Sequence, residues 1–354
     1  MPVVKPFRAL RYDTAKAGPL EELVAPPYDV IGPADREELR ARSPHNVVHL
    51  TLPDSEEQAA RTLADWREGG VLTDEEPACW VLEQDYAGPD GVGRTRTGLA
   101  VSLTVEPYET GGVLPHERTH AGPKEGRLRL LRATRVQLEP IFLLYDGDAP
   151  FAVPGRSPDL EVEGTRAWRV DEDLAAFFAE RQLLIADGHH RYETALAFHA
   201  EEGAPESAQM LVVLVSTSDP GLTIFPTHRL FAGEQLLAER GGGSVDEALR
   251  ELEALPYERA AAVQVTREGA RVVMGGEELD VQLIDGLGHD GIAYTPDREE
   301  AVRRVNDGEA KVAYLLRPTR IEDVFRLARR GEVMPQKTTY FFPKLVSGLL
   351  FHPL

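Results

Sequence analysis

The sequence predicts an α/β (α+β) protein, on three observations. Short apolar runs at 140–145, 182–186 and 210–216 are rich in Ile, Leu and Val, as buried strands are. Segments with helical apolar spacing stand among them, at 56–68, 125–135 and 192–202. Residues 78–108 form two strand-like runs around a glycine-rich turn at 88–93, the mark of an antiparallel hairpin.

Each element follows from its local residues. Phe7 to Tyr12 reads as a short strand and Ala25 to Ile31 as a loop, because Pro26 and Pro27 forbid a helix there. A helix with proline in its first turn is predicted over 33–40. Asn46 to Leu50 reads as a strand, and Glu56 to Glu68 as a helix that carries Trp66. The hairpin strands are 80–86 and 96–103. A polar stretch punctuated by Gly and Pro, 115–124, leads into a basic helix at 125–135 and a buried strand at 140–145. A Pro/Gly-rich hairpin and a helix from Asp171 to Arg181 precede the strand 182–186, which runs into a loop at Asp187. A helix from Tyr192 and a strand from Met210 to Ser216 follow.

Gly241-Gly242-Gly243-Ser244 is the clearest linker. It divides the chain into a larger region, 1–240, expected to carry catalysis, and a smaller α/β unit, 241–354. In the smaller unit, helices are expected from Val245, Arg298 and Ile321, with strands near Val263, Val272 and Val312. The tail from Met334 to Lys344 is too aromatic for a disordered end, and it is expected to fold back onto the Asp187 loop.

With 354 residues the chain can bury a sizeable core without a disulfide or metal staple. Its formal charge of −20 repels phosphodiester backbones and anionic lipid, so neither a nucleic acid nor a membrane is an expected partner. Cys79 is the only cysteine, which excludes an intramolecular disulfide and a cysteine-rich zinc site. The first residues lack a basic-then-apolar targeting pattern, and no apolar run reaches the roughly 20 residues that cross a bilayer. Cytoplasm is therefore the expected compartment. Only six of the 39 basic residues are lysine. A lysine kept in so arginine-rich a chain is a candidate for a point-charge role that a wide guanidinium cannot fill. Lys124, Lys337 and Lys344 all lie in Gly/Pro/aromatic-rich segments.

The densest chemistry is Asp187-Gly188-His189-His190-Arg191. A strand, a glycine turn and a helix make a common phosphate-binding layout, because a helix N-terminus offers free N–H groups and a partial positive charge. Gly188 permits a tight turn, and Arg191 can hold a phosphate or carboxylate bidentately. Asp187 stands where a magnesium ligand or general base often sits. The plainer alternative is Asp187 as a helix cap with two surface histidines.

The run Ile185-Ala186-Asp187-Gly188-His189-His190-Arg191-Tyr192-Glu193-Thr194-Ala195-Leu196 resembles the signature of a prokaryotic family known only as domain of unknown function 1015. The resemblance extends over essentially the whole chain. It takes in Ala25 to Ile31, His116-Glu117-x-Thr119, Gly122-Pro123-Lys124, Pro140 to Tyr145, Pro226-Thr227-His228-Arg229 and Met334 to Lys344. The Asp-Gly-His-His-Arg loop is also similar to that of archaeal free-serine kinases, which have the ParB/sulfiredoxin-like fold. That likeness implies a ParB/sulfiredoxin-like mixed-sheet core, nucleotide phosphates at Gly188 to Arg191, and a catalytic or magnesium role for Asp187.

Together these readings predict a magnesium- and nucleotide-dependent phosphotransferase, using ATP or ADP with Mg2+, on a small hydroxyl metabolite. Free serine is the substrate the resemblance implies. Asp187, Glu117 and His190 are the expected catalytic groups. Gly188, His189, Arg191, Lys124, Lys337, His228 and Arg229 are expected to bind the nucleotide, and Asp187 and Glu117 the metal. A nucleotide-binding switch without turnover and a small-molecule phosphatase are the alternatives, and a homodimer is left open. His116-Glu117-Arg118-Thr119-His120 has the zincin spacing, but that motif needs a helix, and Pro115 and Gly122-Pro123 argue against one.

Overall fold

Nine strands form the main sheet: β1 (Val3–Lys5), β2 (Cys79–Ala87), β3 (Gly93–Thr104), β4 (Val113–Leu114), β5 (Ile141–Tyr145), β6 (Leu160–Val162), β7 (Thr165–Val170), β8 (Leu183–Asp187) and β9 (Gln209–Ser216). The computed structural model describes residues 2–117, 121–276, 279–335 and 337–354, with 121–123 described by backbone alone. The strand order is β4-β8-β5-β9-β3-β2-β7-β6, with β1 paired to β3. Pairing is parallel between β8 and β4 and between β9 and β5, and antiparallel elsewhere, so the sheet is mixed.

The continuous apolar runs are explained by burial on both faces. Phe142, Leu144, Leu184, Ala186, Leu211 and Val213 enter one core. Ile141, Leu143, Leu183, Ile185, Val212 and Leu214 enter the other. Alternate side chains of a strand point to opposite faces, so two cores require an unbroken run. Each of the larger side chains, Ala186 apart, contributes about 1.5–3 kcal/mol when fully buried.

The main helices are α1 (Pro33–Arg42), α2 (Glu56–Glu68), α3 (Ala121–Thr134), α4 (His189–Glu202), α5 (Val245–Ala254), α6 (Arg298–Asp307) and α7 (Ile321–Arg329). None among the described residues is long and apolar enough to cross a membrane. Two local readings are corrected. Val48–Thr51 is a helical turn and not a strand, because the buried Asn46 sets a turn. Its Oδ1 accepts the Val48 N–H at 3.0 Å, and its Nδ2 donates to the Glu22 and Val24 carbonyls. The helix expected over 171–181 shrinks to one turn, Ala175–Phe178, started by Asp173, whose Oδ1 accepts the Ala175 N–H.

A second sheet holds β11 (His228–Phe231), β12 (Ala261–Thr266), β13 (Gly269–Met274), β14 (Ile292–Thr295) and β15 (Val312–Leu315), in the order β13-β12-β15-β11-β14 and wholly antiparallel. It begins upstream of the glycine run at 241–243. Between the sheets, β10 (Thr223–Phe225) pairs with β16 (Tyr340–Phe342) from the tail. The tail then packs on the first sheet, where Phe341, Leu345, Leu349 and Phe351 join the core of Phe142 and Leu184. Arg96, fully buried, lies 4.5 Å over the Phe142 ring and donates to the Pro343 carbonyl at 2.8 Å.

The turn from β8 to α4 is one residue long. The helix begins at His189, three residues before the expected Tyr192, because Gly188 turns the chain alone in the left-handed region, φ 101° and ψ 27°. This places His189, His190 and Arg191 in the first helical turn. A Cβ on Gly188 would stand 2.5 Å from Ile141 Cγ2. Gly188→Ala is therefore expected to cost about 1–3 kcal/mol from backbone strain and the clash together. Urea unfolding of the variant measures it, and an unchanged midpoint would rule out a strained turn.

Candidate functional site

A cleft of about 490 Å³ opens at the end of β8. Asp187 to Arg191 form one wall, and Tyr28, Asp29 and Val30 another. Glu117 and the tail residues Lys337, Thr339, Tyr340 and Lys344 line it, with Thr227 just before β11 and Tyr294 and Thr295 from the second sheet. Open α/β sheets place ligands in such a crevice, beyond the carboxyl ends of strands.

Asp187 is partly buried between two cations. Its Oδ2 accepts from Arg191 at 2.7 Å, and its Oδ1 is paired with the Lys344 ammonium. Burial pushes the carboxyl up, but Lys344 and Arg191 outweigh it and hold the group below the ordinary aspartate value. Arg191 is also committed through Nη1, which donates to the Pro140 carbonyl at 2.6 Å. It thus brings charge and fixes Asp187, and its two Nη atoms do not present an open fork to a phosphate.

The histidines are assigned by their partners. His116 Nδ1 lies 2.6 Å from the Ile185 carbonyl, which can only accept, so the proton is on Nδ1. Nε2 then accepts from Thr339 Oγ1 at 2.9 Å. Burial keeps this ring neutral, its pKa lowered to about 4. The His116 backbone N–H donates to His189 Nε2 at 3.2 Å, so the neutral His189 ring carries its proton on Nδ1. Burial first, and His116 second, hold His189 well below the ordinary histidine value. His189 lines the cleft, where its Nδ1–H finds no acceptor among the described residues.

Glu117 is the unusual acid. The tail bridges to it, since Met334 N–H donates to the His116 carbonyl at 2.8 Å. Burial raises its carboxyl to about 7, with Lys337 and Lys344 opposing and Asp187 adding to the rise. Its Oε1 is 3.8 Å from His116 Nε2, which is unprotonated, so no ion pair forms there.

The other expected residues divide. Gly188, His190 and Lys337 line the cleft. Arg229 is buried and holds the tail, donating to the Lys337 carbonyl at 3.4 Å, where Lys337 has a left-handed backbone, φ 56°. Lys124 is not brought into the cleft, since its ammonium pairs with Glu193 at 2.5 Å. His228 also lies elsewhere, its Nδ1 accepting the Leu316 N–H at 3.2 Å. Thr119 and His120 are outside the described residues. Both Asp187 oxygens already face cations, and no group of three or more His, Cys, Asp or Glu is placed to hold a metal among the described residues.

Sequence reasoning did not select Asp29, Tyr294 or His116 for the site, and it offered Lys344 and Tyr340 only as parts of the tail expected to fold back onto the Asp187 loop. Lysine scarcity was the signal for Lys344, and the Ala25 to Ile31 motif was the signal for Asp29.

Removing one cation from Asp187 tests this electrostatic frame. Lys344→Met is expected to cost about 1–3 kcal/mol at pH 7, and Asp187→Asn in that background to recover part of it. The folded-state pKa of Asp187 is depressed. Its contribution is therefore present above the unfolded value and lost as pH falls through the folded one. Lys344→Met should thus narrow the stability difference between pH 7 and acid, as read by urea unfolding. A wild-type pH profile in that variant would overturn the assignment.

Comparison with known proteins places the chain in a family without assigning its chemistry. No curated protein matches. A conserved hypothetical protein from Pyrococcus furiosus is 17% identical with a TM-score of 0.38, covering 71% of this chain and 95% of its own. A free serine kinase in complex with AMP is 19% identical with a TM-score of 0.41, covering 71% and 92%. SbnI with a C-terminal truncation, from Staphylococcus aureus, is 12% identical with a TM-score of 0.39, covering 67% and 82%. The family described as "Protein of unknown function (DUF1015)" matches residues 4–281, so the chain belongs to that family.

Proposed function

We propose that this protein binds the phosphates of a nucleotide at the N-terminus of α4 and transfers a phosphoryl group to a small hydroxyl metabolite. The observation that supports it best is the pairing of two features in one cleft. A helix N-terminus stands beside the cations Arg191, Lys337 and Lys344, and Glu117 has its carboxyl raised to about 7. Helix N-termini and fixed cations stabilise phosphate charge. A carboxylate with a pKa near the working pH is a competent general base.

In this reading the first-turn N–H groups, His189 Nδ1–H and the Lys337 ammonium hold phosphate oxygens. Arg191 and Lys344 keep Asp187 in place, and Asp187 limits how much positive charge faces the ligand. Glu117 takes the proton from the attacking hydroxyl. The hydroxyl oxygen forms the new bond to phosphorus, and the bond to the nucleotide's bridging oxygen breaks. Magnesium, if used, arrives on the nucleotide phosphates, as it commonly does at sites with few protein carboxylates. Free serine is the first substrate to try, with ATP and ADP as donors.

Incubation with ATP or ADP, magnesium and a panel of hydroxy amino acids, read by phosphorus NMR, tests the reaction. A phosphorylated product supports it. Nucleotide binding without product supports a switch, and release of phosphate from a phosphorylated amino acid supports a phosphatase. Glu117 is protonated below about 7, so the rate should fall as pH drops from 8 to 6. Glu117→Gln should lose roughly 10²–10⁴-fold in rate and flatten that profile, with Asp29→Asn as the control carboxylate. Lys337→Arg should keep the melting temperature and weaken nucleotide affinity, because a guanidinium is wider than an ammonium. Unchanged affinity in that variant would remove Lys337 from the site.

A further inference from the structure

His228 belongs to a motif singled out in the sequence, yet it lines a different cleft, of about 530 Å³. Adjacent residues serve the two clefts, Thr227 the first and His228 the second. The ring is 4% exposed. Its Nδ1 accepts the Leu316 N–H, so the neutral ring bears its proton on Nε2. That Nε2–H has no acceptor among the described residues, and it is not sealed from solvent. The donor is thus held at the cleft and not used inside the protein, so an acceptor on a ligand can take the place of water there.

The surroundings narrow the ligand. Phe225, Leu252 and Leu316 are apolar walls. The rim carries the carboxylates of Glu253, Asp297 and Glu299, with Arg298 beside them. Two other charges on the cleft are already committed, Arg317 to Asp280 at 2.7 Å and Asp90 to Arg94 at 2.6 Å. Asp297 Oδ1 caps α6 by accepting from the Glu299 and Glu300 N–H groups, which leaves its second oxygen for a cation. A simple anion would be repelled by this rim. A simple amine would leave the Nε2–H unmet.

We propose that this cleft binds a free α-amino acid with an apolar side chain. The carboxylate sits on His228 Nε2–H and Arg298, the ammonium at Asp297 and Glu253, and the side chain against Phe225, Leu252 and Leu316. This site does not depend on the nucleotide reading of the first cleft. Calorimetry with the full chain, supported by NMR of nitrogen-labelled histidine, tests it with three probes. L-leucine should bind and shift the His228 ring signals. 4-Methylpentanoate, which lacks the ammonium, and 3-methylbutylamine, which lacks the carboxylate, should bind at least about tenfold more weakly. Asp297→Asn keeps a good helix cap and the melting temperature but should weaken L-leucine about tenfold. His228→Asn retains an acceptor for the Leu316 N–H and removes the Nε2 donor, with a similar loss. Absence of L-leucine binding would overturn the proposal. So would equal binding of either truncated probe, or wild-type affinity in both variants.

Discussion

A carboxylate at the end of a buried strand can stay ionised only where cations or donors reach it. Asp187 meets that condition with one cation from its own helix, Arg191, and one from 157 residues away, Lys344. The local pair follows from i,i+4 spacing across a one-residue turn, and the distant one requires the tail to return over the sheet. Much of the structure around the cleft secures that return. β16 pairs with β10, the Met334 N–H meets the His116 carbonyl, and Thr339 donates to the His116 ring. Buried Arg96 holds the carbonyl of Pro343, next to Lys344. Breaking a partly buried ion pair leaves an uncompensated charge, so the tail and the strand end stabilise each other.

The same return shapes the chemistry of Glu117. The tail bridges at Met334 beside this partly buried acid, and desolvation is the first cause of its raised pKa. It also brings Lys337 close enough to oppose the rise. One cleft thus holds a lowered aspartate and a raised glutamate. Environments that separate two acids in this way are a recurring sign of divided roles in catalysis.

The motif at 226–229 shows how an extended chain serves different surroundings with neighbouring residues. Thr227 faces the first cleft, His228 the second, and Arg229 holds the Lys337 carbonyl. The second sheet is therefore no appendage, since β14 helps to wall the first cleft and β11 the second.

The strands at 141–145, 183–187 and 209–216 were legible because a strand buried on both faces must be apolar throughout. Long amphipathic helices such as 56–68 were legible for a similar reason, since burial on one face imposes a period. The Asp187 to Arg191 cluster and the rarity of lysine also marked one wall of the cleft and its two tail lysines. Asn46 was read wrongly because its turn depends on carbonyls of Glu22 and Val24, which no local pattern reveals. Lys124, a rare lysine, and His228, from the 226–229 motif, were grouped with the loop, but a motif does not say which partner is nearest. Glu193 and the Leu316 N–H took them elsewhere. Apolar burial and turn chemistry act over a few residues and are written in the sequence. The partner of each charge is selected among groups brought together by chain return, so only the tertiary structure decided that Lys344 meets Asp187 and that the Glu117 carboxyl is raised.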